Sequence, residues 1–144
     1  MTLHHKQSIV LVPAHNEQAT VTTVVQKAKQ TLACEVVVID DASTDETAEK
    51  ALAAGAIVLP LALQLGAWGA TQCGIRYALH RGYQIAITMD ADNQHDAAYL
   101  DSLIQPLDEG IADVVIGAYP DRTSRIRQIA CEYFRLLTGL RLRD

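Results

Sequence analysis

The sequence has few aromatic residues, few cysteines and no long hydrophobic run, and each shortage narrows the class of protein. Aromatic residues make up 5% of the 144 residues against 49% hydrophobic residues, so we expect an aliphatic core. The cysteines Cys34, Cys73 and Cys131 are odd in number and lack paired metal spacing, which indicates reduced thiols in a cytoplasmic protein. No apolar stretch reaches the roughly 20 residues of a transmembrane helix, and the N-terminus lacks a signal-peptide pattern.

Charge is divided unevenly along the chain. Residues 1–118 hold six Lys and Arg against fourteen Asp and Glu, whereas residues 119–144, hereafter the tail, hold six Arg against three acidic residues. An acidic body is repelled by phosphate backbones, which argues against nucleic acid binding. The basic tail therefore needs an interpretation of its own.

Predicted strands and helices alternate. Apolar runs typical of buried strands occur at 8–13, 35–39, 56–59, 85–89 and 113–116. Apolar residues at helical spacing lie between them, for example Val21, Val24, Val25, Ala28 and Leu32. This alternation predicts an α/β fold with a Rossmann-like, mostly parallel sheet and helices on both faces.

Two carboxylates stand at the end of the fourth predicted strand. Asp90 and Asp92 follow the apolar run directly and would repel each other unless a cation lay between them. Carboxylate oxygens suit Mg²⁺ or Mn²⁺, which leave coordination positions open for phosphate oxygens. The sequence therefore predicts a metal–diphosphate site. The alternative is a solvated acidic turn, with Asp96 as the N-cap of a helix over 97–108.

Other phosphate and metal motifs match this segment less well. An EF-hand loop would need glycine where His95 stands, and a helix before it in place of a strand. A phosphatase with an aspartyl nucleophile would have a small hydroxyl residue or valine where Gln94 stands. The glycine-rich dinucleotide fingerprint and the Walker A loop are both missing from the sequence, so phosphates would have to be bound through the metal.

Polar residues follow three of the predicted strands, at 13–17, 40–41 and 90–92. Ligands of parallel sheets bind beyond the carboxyl ends of the strands. If strand one lies between strands two and four, Asp41 and Asp90 are two strand spacings apart, about 10 Å. That separation suits a nucleotide whose base lies at Asp41 and whose diphosphate lies at Asp90.

Three segments carry a resemblance to a known family. They are residues 12–17 (VPAHNE), 38–47 (VIDDASTDET) and 90–96 (DADNQHD). In this order they resemble family 2 glycosyltransferases of the GT-A fold, notably the polyprenyl-phosphate sugar transferases related to dolichyl-phosphate mannosyltransferase. The resemblance extends over essentially the whole chain. The family continues past the position of Asp144 into an acceptor-side half, so we expect either a fragment or a chain without that half.

The resemblance implies roles for individual residues. It implies a nucleotide-sugar-binding core over 1–118, followed by a basic amphipathic tail that starts the acceptor-side region. The implied nucleotide-binding residues are Pro13, Ala14, His15, Glu17, Asp41, Asp90 and Ala91. The implied catalytic residues are Asp90 and Asp92, which hold Mg²⁺ or Mn²⁺ together with Gln94. The implied acceptor-binding residues are Arg122, Arg125 and Arg127.

The segment after strand two also has a local interpretation. Ser43 and Glu46 have the spacing of a capping box, which predicts that Ser43, Asp45 and Glu46 start a helix. Asp41 is not needed for that box and is left to accept a hydrogen bond from a base. His15 either stacks on the base or is an ordinary loop residue.

The third predicted helix opens with residues 66–70 (GAWGA), where many relatives have Gly-Lys-Gly. Trp68 stands in place of the usual cation, which puts a phosphate contact by that position in doubt. A helix N-terminus attracts anions, but packing of the helix on small residues is the favoured interpretation of these glycines.

The tail has two interpretations. An arginine-bearing amphipathic helix is usually solvated on its basic side. The alternative is an interfacial helix near anionic lipid, with the three arginines of residues 122–127 facing an acceptor phosphate.

These observations converge on one functional hypothesis. We expect a cytoplasmic glycosyltransferase, peripheral on the inner face of the membrane, that moves a sugar from a nucleotide diphosphate sugar to a polyprenyl phosphate. A lipid phosphate is already anionic near neutral pH, with a second pKa of about 6, and needs no general base. The rival hypothesis is a catalytically silent sugar-nucleotide-binding module that lacks the acceptor half.

Overall fold

The structure, a computed structural model, describes residues 8–93 and 99–117. Strands and helices alternate through this part of the chain, as the apolar pattern predicts. The elements are β1 (Ser8–Ala14), α1 (Val21–Leu32), β2 (Glu35–Asp40), α2 (Thr47–Ala53), β3 (Ile57–Pro60), α3 (Gly66–Arg81), β4 (Ile85–Thr88) and α4 (Leu100–Asp108).

The four strands form one parallel sheet in the order β3-β2-β1-β4. The prediction that strand one lies between strands two and four is therefore confirmed. The central strand β1 is apolar throughout because both of its faces are covered, and residues 9–12 are fully buried. Its register places Ala14 beside Asp40, so β1 and β2 end at the same level.

Side chains alternate between two cores, one on each face of the sheet. Val10, Val12 and Val38 point to the face covered by α1, α2 and α4. Ile9 and Leu11 point to the face covered by α3. Helices thus cover both faces, as predicted, and the sheet itself lies between two aliphatic layers.

Helix α3 packs closely on the sheet because its inner face consists of small residues. Ala70, Gly74 and Ala78 are its buried positions. A Cβ atom built on Gly74 would lie 2.8 Å from Cδ1 of Ile39 and 3.3 Å from Cδ1 of Leu11. Small residues therefore pack on the sheet from Ala70 onward, further along the helix than the glycines of residues 66–70 for which this packing was expected.

The predicted fifth strand is wrong. Residues 113–116 are not in a strand, and within the described residues β4 pairs with β1 alone. Val114 is 75% exposed and Ile116 84% exposed. An apolar run becomes a strand only when a neighbouring strand satisfies its backbone groups, and no described residue supplies that partner here.

The predicted capping box is also wrong, although Asp45 and Glu46 do lie at the start of the helix as predicted. Helix α2 begins at Thr47, and Glu46 stands at its N-cap without a side-chain cap hydrogen bond. The backbone N–H of Thr47 instead donates to Oδ1 of Asp45 at 3.0 Å. The Ser43 hydroxyl instead accepts a hydrogen bond from the backbone N–H of Asn16, which lies in another loop. Because of this tertiary contact, Ser43 does not cap the helix as the local pattern predicted.

Three further expectations concern the ends of the described part. No described helix is both long and apolar enough to cross a bilayer. The helix expected over 97–108 is seen from Leu100 onward. Asp96, its expected cap, and the whole tail lie outside the described residues.

The close approach at Gly74 gives a stability prediction. Gly74→Ala should destabilise the protein by about 1 kcal/mol, because overpacking costs roughly 1–3 kcal/mol while the better helix propensity of alanine returns up to about 1 kcal/mol. Chemical denaturation would measure the change. Gln72→Ala, on the exposed side of the same helix, is the control. A Gly74→Ala protein as stable as the control would contradict the packing argument.

Candidate functional site

A cavity of about 320 Å³ lies at the carboxyl edge of the sheet. Parallel strands end at one edge, so the loops after β1, β2, β3 and β4 all reach it. The lining residues are Pro13, Ala14, His15, Glu17, Asp41, Gln64, Gly66, Ala67, Asp90, Ala91 and Asp92. A cleft at this edge of an α/β sheet is the usual position of a ligand site.

The structure brings together every described residue for which the resemblance implies nucleotide or metal binding. Four come from the end of β1 and the loop after it, one from the end of β2, and three from the loop after β4. Gln94 lies outside the described residues, as do Arg122, Arg125 and Arg127. The two ends of the cavity carry Asp41 on one side and the pair Asp90 and Asp92 on the other.

Sequence reasoning missed three lining residues, Gln64, Gly66 and Ala67. They belong to the loop between β3 and α3 and to the first turn of α3. The order of the strands could have indicated them, because β3 ends at the same edge as β2. Gly66 has a φ of +78°, a left-handed conformation that favours glycine, so this glycine serves the turn into α3 rather than helix packing.

Asp41 holds the start of α3. Its side chain is only 2% exposed. Its Oδ1 accepts the backbone N–H of Leu65 at 2.7 Å, and its Oδ2 accepts that of Gly66 at 2.8 Å. A carboxylate at a helix N-terminus also interacts favourably with the helix dipole. Each oxygen has a second lone pair, so Asp41 can still accept a hydrogen bond from a ligand.

A row of hydrogen bonds, hereafter the interloop seam, joins residues 14–18 after β1 to residues 41–47 after β2. At its inner end the N–H of Asp41 donates to the carbonyl of Ala14 at 2.8 Å. Further out the N–H of Glu17 donates to Oγ1 of Thr47 at 2.8 Å, and the N–H of Gln18 donates to Oδ2 of Asp45 at 3.2 Å. The seam fixes the two loops against each other along one side of the cavity.

Asp45 accepts hydrogen bonds from both sides of the seam. Desolvation acts to raise the pKa of its carboxyl group. Hydrogen bonds from the hydroxyl and N–H of Thr47 and from the N–H of Gln18 outweigh it and hold the pKa below its ordinary value. The charged form is therefore the one that the seam stabilises.

His15 and Asn16 form the central part of the interloop seam. Nδ1 of His15 lies 2.8 Å from the carbonyl oxygen of Asp41, and its Nε2 lies 3.1 Å from Nδ2 of Asn16. Oδ1 of Asn16 accepts the N–H of Thr44 at 2.9 Å, and the N–H of Asn16 donates to Oγ of Ser43 at 3.0 Å. Asn16 has a φ of +57°, which asparagine tolerates better than most residues.

The opposite end of the cavity is more open. Asp90 is exposed and Asp92 half-buried, whereas Ala91 between them is 3% exposed and anchors the turn. Asn93, with a φ of +60°, accepts a hydrogen bond from Nζ of Lys27 at 3.0 Å. This contact ties the turn to α1.

The donor set at this end suits a hard divalent cation. The part of the chain that the structure describes has no group of three or more Asp, Glu, His or Cys that could hold a metal by themselves. Mg²⁺ is typically bound through one or two carboxylates, with phosphate oxygens and water completing the shell. Asp90 and Asp92 match that requirement.

Cys34 offers no competing chemistry. Cys34 is buried among aliphatic residues, and this burial raises the pKa of its thiol. A thiol held in its protonated form is a poor nucleophile and a poor metal ligand. Cys131 lies outside the described residues.

A family profile described as "Glycosyl transferase family 2" matches residues 9–136. An uncharacterized protein of Methanocaldococcus jannaschii is 36% identical over 117 residues, which cover 81% of this chain and 48% of the relative. The undecaprenyl-phosphate mannosyltransferase of Micrococcus luteus is 29% identical over 152 residues, covering 94% of this chain and 62% of the relative. The chain thus spans about half to three-fifths of the length of these relatives.

A solved structure has the same architecture. Glucosyl-3-phosphoglycerate synthase from Mycobacterium tuberculosis, in complex with Mn²⁺, uridine diphosphate and glucosyl-3-phosphoglycerate, matches with a TM-score of 0.60 and 27% identity. The match covers 71% of this chain and 39% of the synthase.

The contacts of Asp41 give a prediction that separates it from its neighbour. Asp41→Asn places an amide N–H₂ against a backbone N–H at the start of α3 and should cost roughly 1.5–3 kcal/mol of stability. Asp40→Asn is the matched control, because Oδ1 of Asp40 receives one hydrogen bond, from the N–H of Ser43, which an amide oxygen can still accept. Thermal and denaturant unfolding of both variants would measure the difference. Equal stability of the two would contradict the assignment of Asp41 to the start of α3.

Proposed function

Because the chain belongs to glycosyl transferase family 2, we propose that it binds a nucleotide diphosphate sugar and transfers the sugar to a polyprenyl phosphate. The observation that carries the proposal is the convergence of the β1, β2 and β4 ends on one cavity. That cavity has a buried, hydrogen-bonded carboxylate at one end and two accessible carboxylates at the other. A base and a diphosphate need these two different environments.

The base lies at the Asp41 end in this proposal. Pro13 and Ala14 supply an apolar wall, and His15 supplies a flat ring on which a base can stack. A free lone pair of Asp41 accepts a ring N–H of the base. Glu17 lines the same region, and its Oε2 accepts the hydroxyl of Thr20 at 2.8 Å, which fixes the carboxylate.

The diphosphate lies at the Asp90 and Asp92 end. These two residues, with Gln94 as a third ligand, would hold Mg²⁺ or Mn²⁺. When bound, such a cation neutralises the charge that develops on the leaving diphosphate. The Mn²⁺ and uridine diphosphate in the mycobacterial synthase support this assignment by analogy.

The chemistry of the cavity favours an acceptor that arrives already ionised. Transfer to an alcohol would need a general base, and both nitrogens of His15 are engaged within the protein. A phosphate monoester has a second pKa of about 6 and is a nucleophile at neutral pH without such help. A relative that is an undecaprenyl-phosphate mannosyltransferase supports a polyprenyl phosphate as the acceptor class.

The acceptor side is assigned to the tail, beyond the core over 1–118. In this proposal Arg122, Arg125 and Arg127 contact the acceptor phosphate, and the tail brings the protein to the inner face of the membrane. Guanidinium groups suit phosphate because they form paired hydrogen bonds with it. The enzyme is thus cytoplasmic and peripheral in this proposal.

The second candidate is a sugar-nucleotide-binding module without catalysis. The chain spans 48% and 62% of the length of two relatives, and this candidate needs only the donor cavity that the described residues line. Turnover of a nucleotide diphosphate sugar with a polyprenyl phosphate would establish the transferase. Donor binding without turnover would establish the module.

The metal assignment predicts a coupling between cation and nucleotide. Nucleotide diphosphate binding should tighten in Mg²⁺ or Mn²⁺, and Asp92→Ala should remove that gain because one of two carboxylate ligands is lost. Isothermal titration calorimetry with and without a chelator would measure it. Asp113→Ala, which removes an exposed carboxylate elsewhere in the chain, should keep the gain. Equal affinity of the unmodified protein in chelator and in metal would rule the assignment out.

The assignment of the tail predicts salt-sensitive membrane binding. Each basic residue near an anionic surface contributes about 1 kcal/mol, so binding to anionic liposomes should weaken as salt rises. Changing Arg122, Arg125 and Arg127 together to Gln should abolish it in a sedimentation assay. The same change at Arg135, Arg141 and Arg143 removes equal charge and is the control. Equal loss in both triple variants would mean that only the net charge of the tail matters.

A further inference from the structure

We infer that Asn16 is a positioning residue that holds His15 as the neutral tautomer with its proton on Nδ1, so that the ring meets the nucleotide only through its carbon atoms and its face. This inference rests on the proposed function for its ligand. It rests on the interloop seam for its geometry. Two contacts, made on opposite sides of the ring, fix the tautomer independently.

The first contact is with a group that can only accept. Nδ1 of His15 lies 2.8 Å from the main-chain carbonyl oxygen of Asp41. A carbonyl has no hydrogen to give, so the proton of this hydrogen bond belongs to Nδ1. The second nitrogen, Nε2, is then unprotonated in the neutral ring and must accept.

The second contact begins with a group that can only donate. The backbone N–H of Thr44 lies 2.9 Å from a side-chain atom of Asn16, which must therefore be the amide oxygen. The amide nitrogen of Asn16 consequently points the other way, to Nε2 of His15 at 3.1 Å. An amide nitrogen donates, so Nε2 accepts. The chain of contacts from Thr44 thus requires the same tautomer as the carbonyl of Asp41.

The consequence concerns what His15 offers to the cavity that it lines. With both nitrogens engaged, the ring neither removes a proton from an acceptor nor binds a metal ion. It presents a flat, uncharged surface in a fixed orientation. That is the property required of a stacking partner for a base.

Asn16 is suited to this position by its backbone as well as its amide. Its φ of +57° is a conformation that asparagine and aspartate tolerate better than other residues with a side chain. Aspartate would keep the acceptor for Thr44 but lose the donor for His15. Asn16→Asp therefore removes the donor to His15 and adds a negative charge while keeping the contact with Thr44.

The tautomer can be read without any ligand, from two-bond ¹H–¹⁵N correlations of the imidazole in labelled protein. The chain has five histidines, and loss of one signal set in His15→Phe assigns His15. We expect a proton on Nδ1 alone. In Asn16→Asp we expect protons on both nitrogens, because a carboxylate oxygen accepts from Nε2.

The matched control is Gln18→Glu. Gln18 lies in the same loop, and its Oε1 accepts the N–H of Glu46 at 3.3 Å without touching His15. The change introduces the same charge two residues away and should leave the His15 signals as they are. A proton on Nε2 in the unmodified protein, or the same spectrum in Asn16→Asp as in Gln18→Glu, overturns the inference.

The positioning role is tested by nucleotide affinity. Asn16→Ala should weaken nucleotide diphosphate binding about three- to tenfold, the range for one lost hydrogen bond, and should raise the donor KM more than it lowers kcat. The effect should be clearly smaller in the His15→Phe background, because only the loss of the contact with Thr44 remains there. An equal effect in both backgrounds overturns the positioning role. The Nδ1 tautomer without any nucleotide binding supports the lock on the ring and overturns the proposed function.

Discussion

The interloop seam is the constraint on which the candidate site depends. Parallel strands bring their loops to one edge of the sheet, but the sheet does not fix how those loops lie once the ladder ends. Here the carbonyl of Ala14 continues the ladder to the N–H of Asp41, and side chains take over beyond that point. Small polar residues do this because their side chains reach main-chain groups of the other loop over short distances. These hydrogen bonds between the two loops determine the shape of the cavity along that side.

The general architecture was open to prediction from the sequence, and the prediction of a GT-A fold is confirmed. The reason is physical: a strand covered on both faces must be apolar at nearly every position, and residues 9–12 and 36–39 satisfy this. The two failures share a cause. Residues 113–116 are apolar but have no described partner strand, and Ser43 has the spacing of a cap but bonds to Asn16. In both places tertiary contacts, present for Ser43 and missing among the described residues for 113–116, decided the outcome of a local pattern.

The site was predictable to the extent that its residues follow strands. Side chains at the ends of β1, β2 and β4 could be assigned to one edge from the sequence, because the alternation predicted a parallel sheet. Gln64, Gly66 and Ala67 come after β3, whose end is followed by the apolar residues 61–63 (LAL) instead of polar ones, so they were missed. The contact of Asp41 with the start of α3 was missed for a related reason. It joins residues 24 and 25 positions apart through two backbone N–H groups, which leave no trace in residue type.

The two ends of the cavity differ in how far they are complete without a ligand. At the Asp41 end, the carboxylate and the His15 ring are held by main-chain groups, so little order remains to be gained when a flat group enters. At the other end Asp90 is exposed and Asp92 half-buried, and under the proposed function these two carboxylates bind a cation. A ligand that carries both a base and a diphosphate would thus place its base in the rigid half of the cavity, which is suited to recognition. It would itself supply phosphate oxygens to the half where the proposed cation binds. Under the proposed function, selectivity belongs to the rigid end and the metal-dependent gain in affinity to the open one.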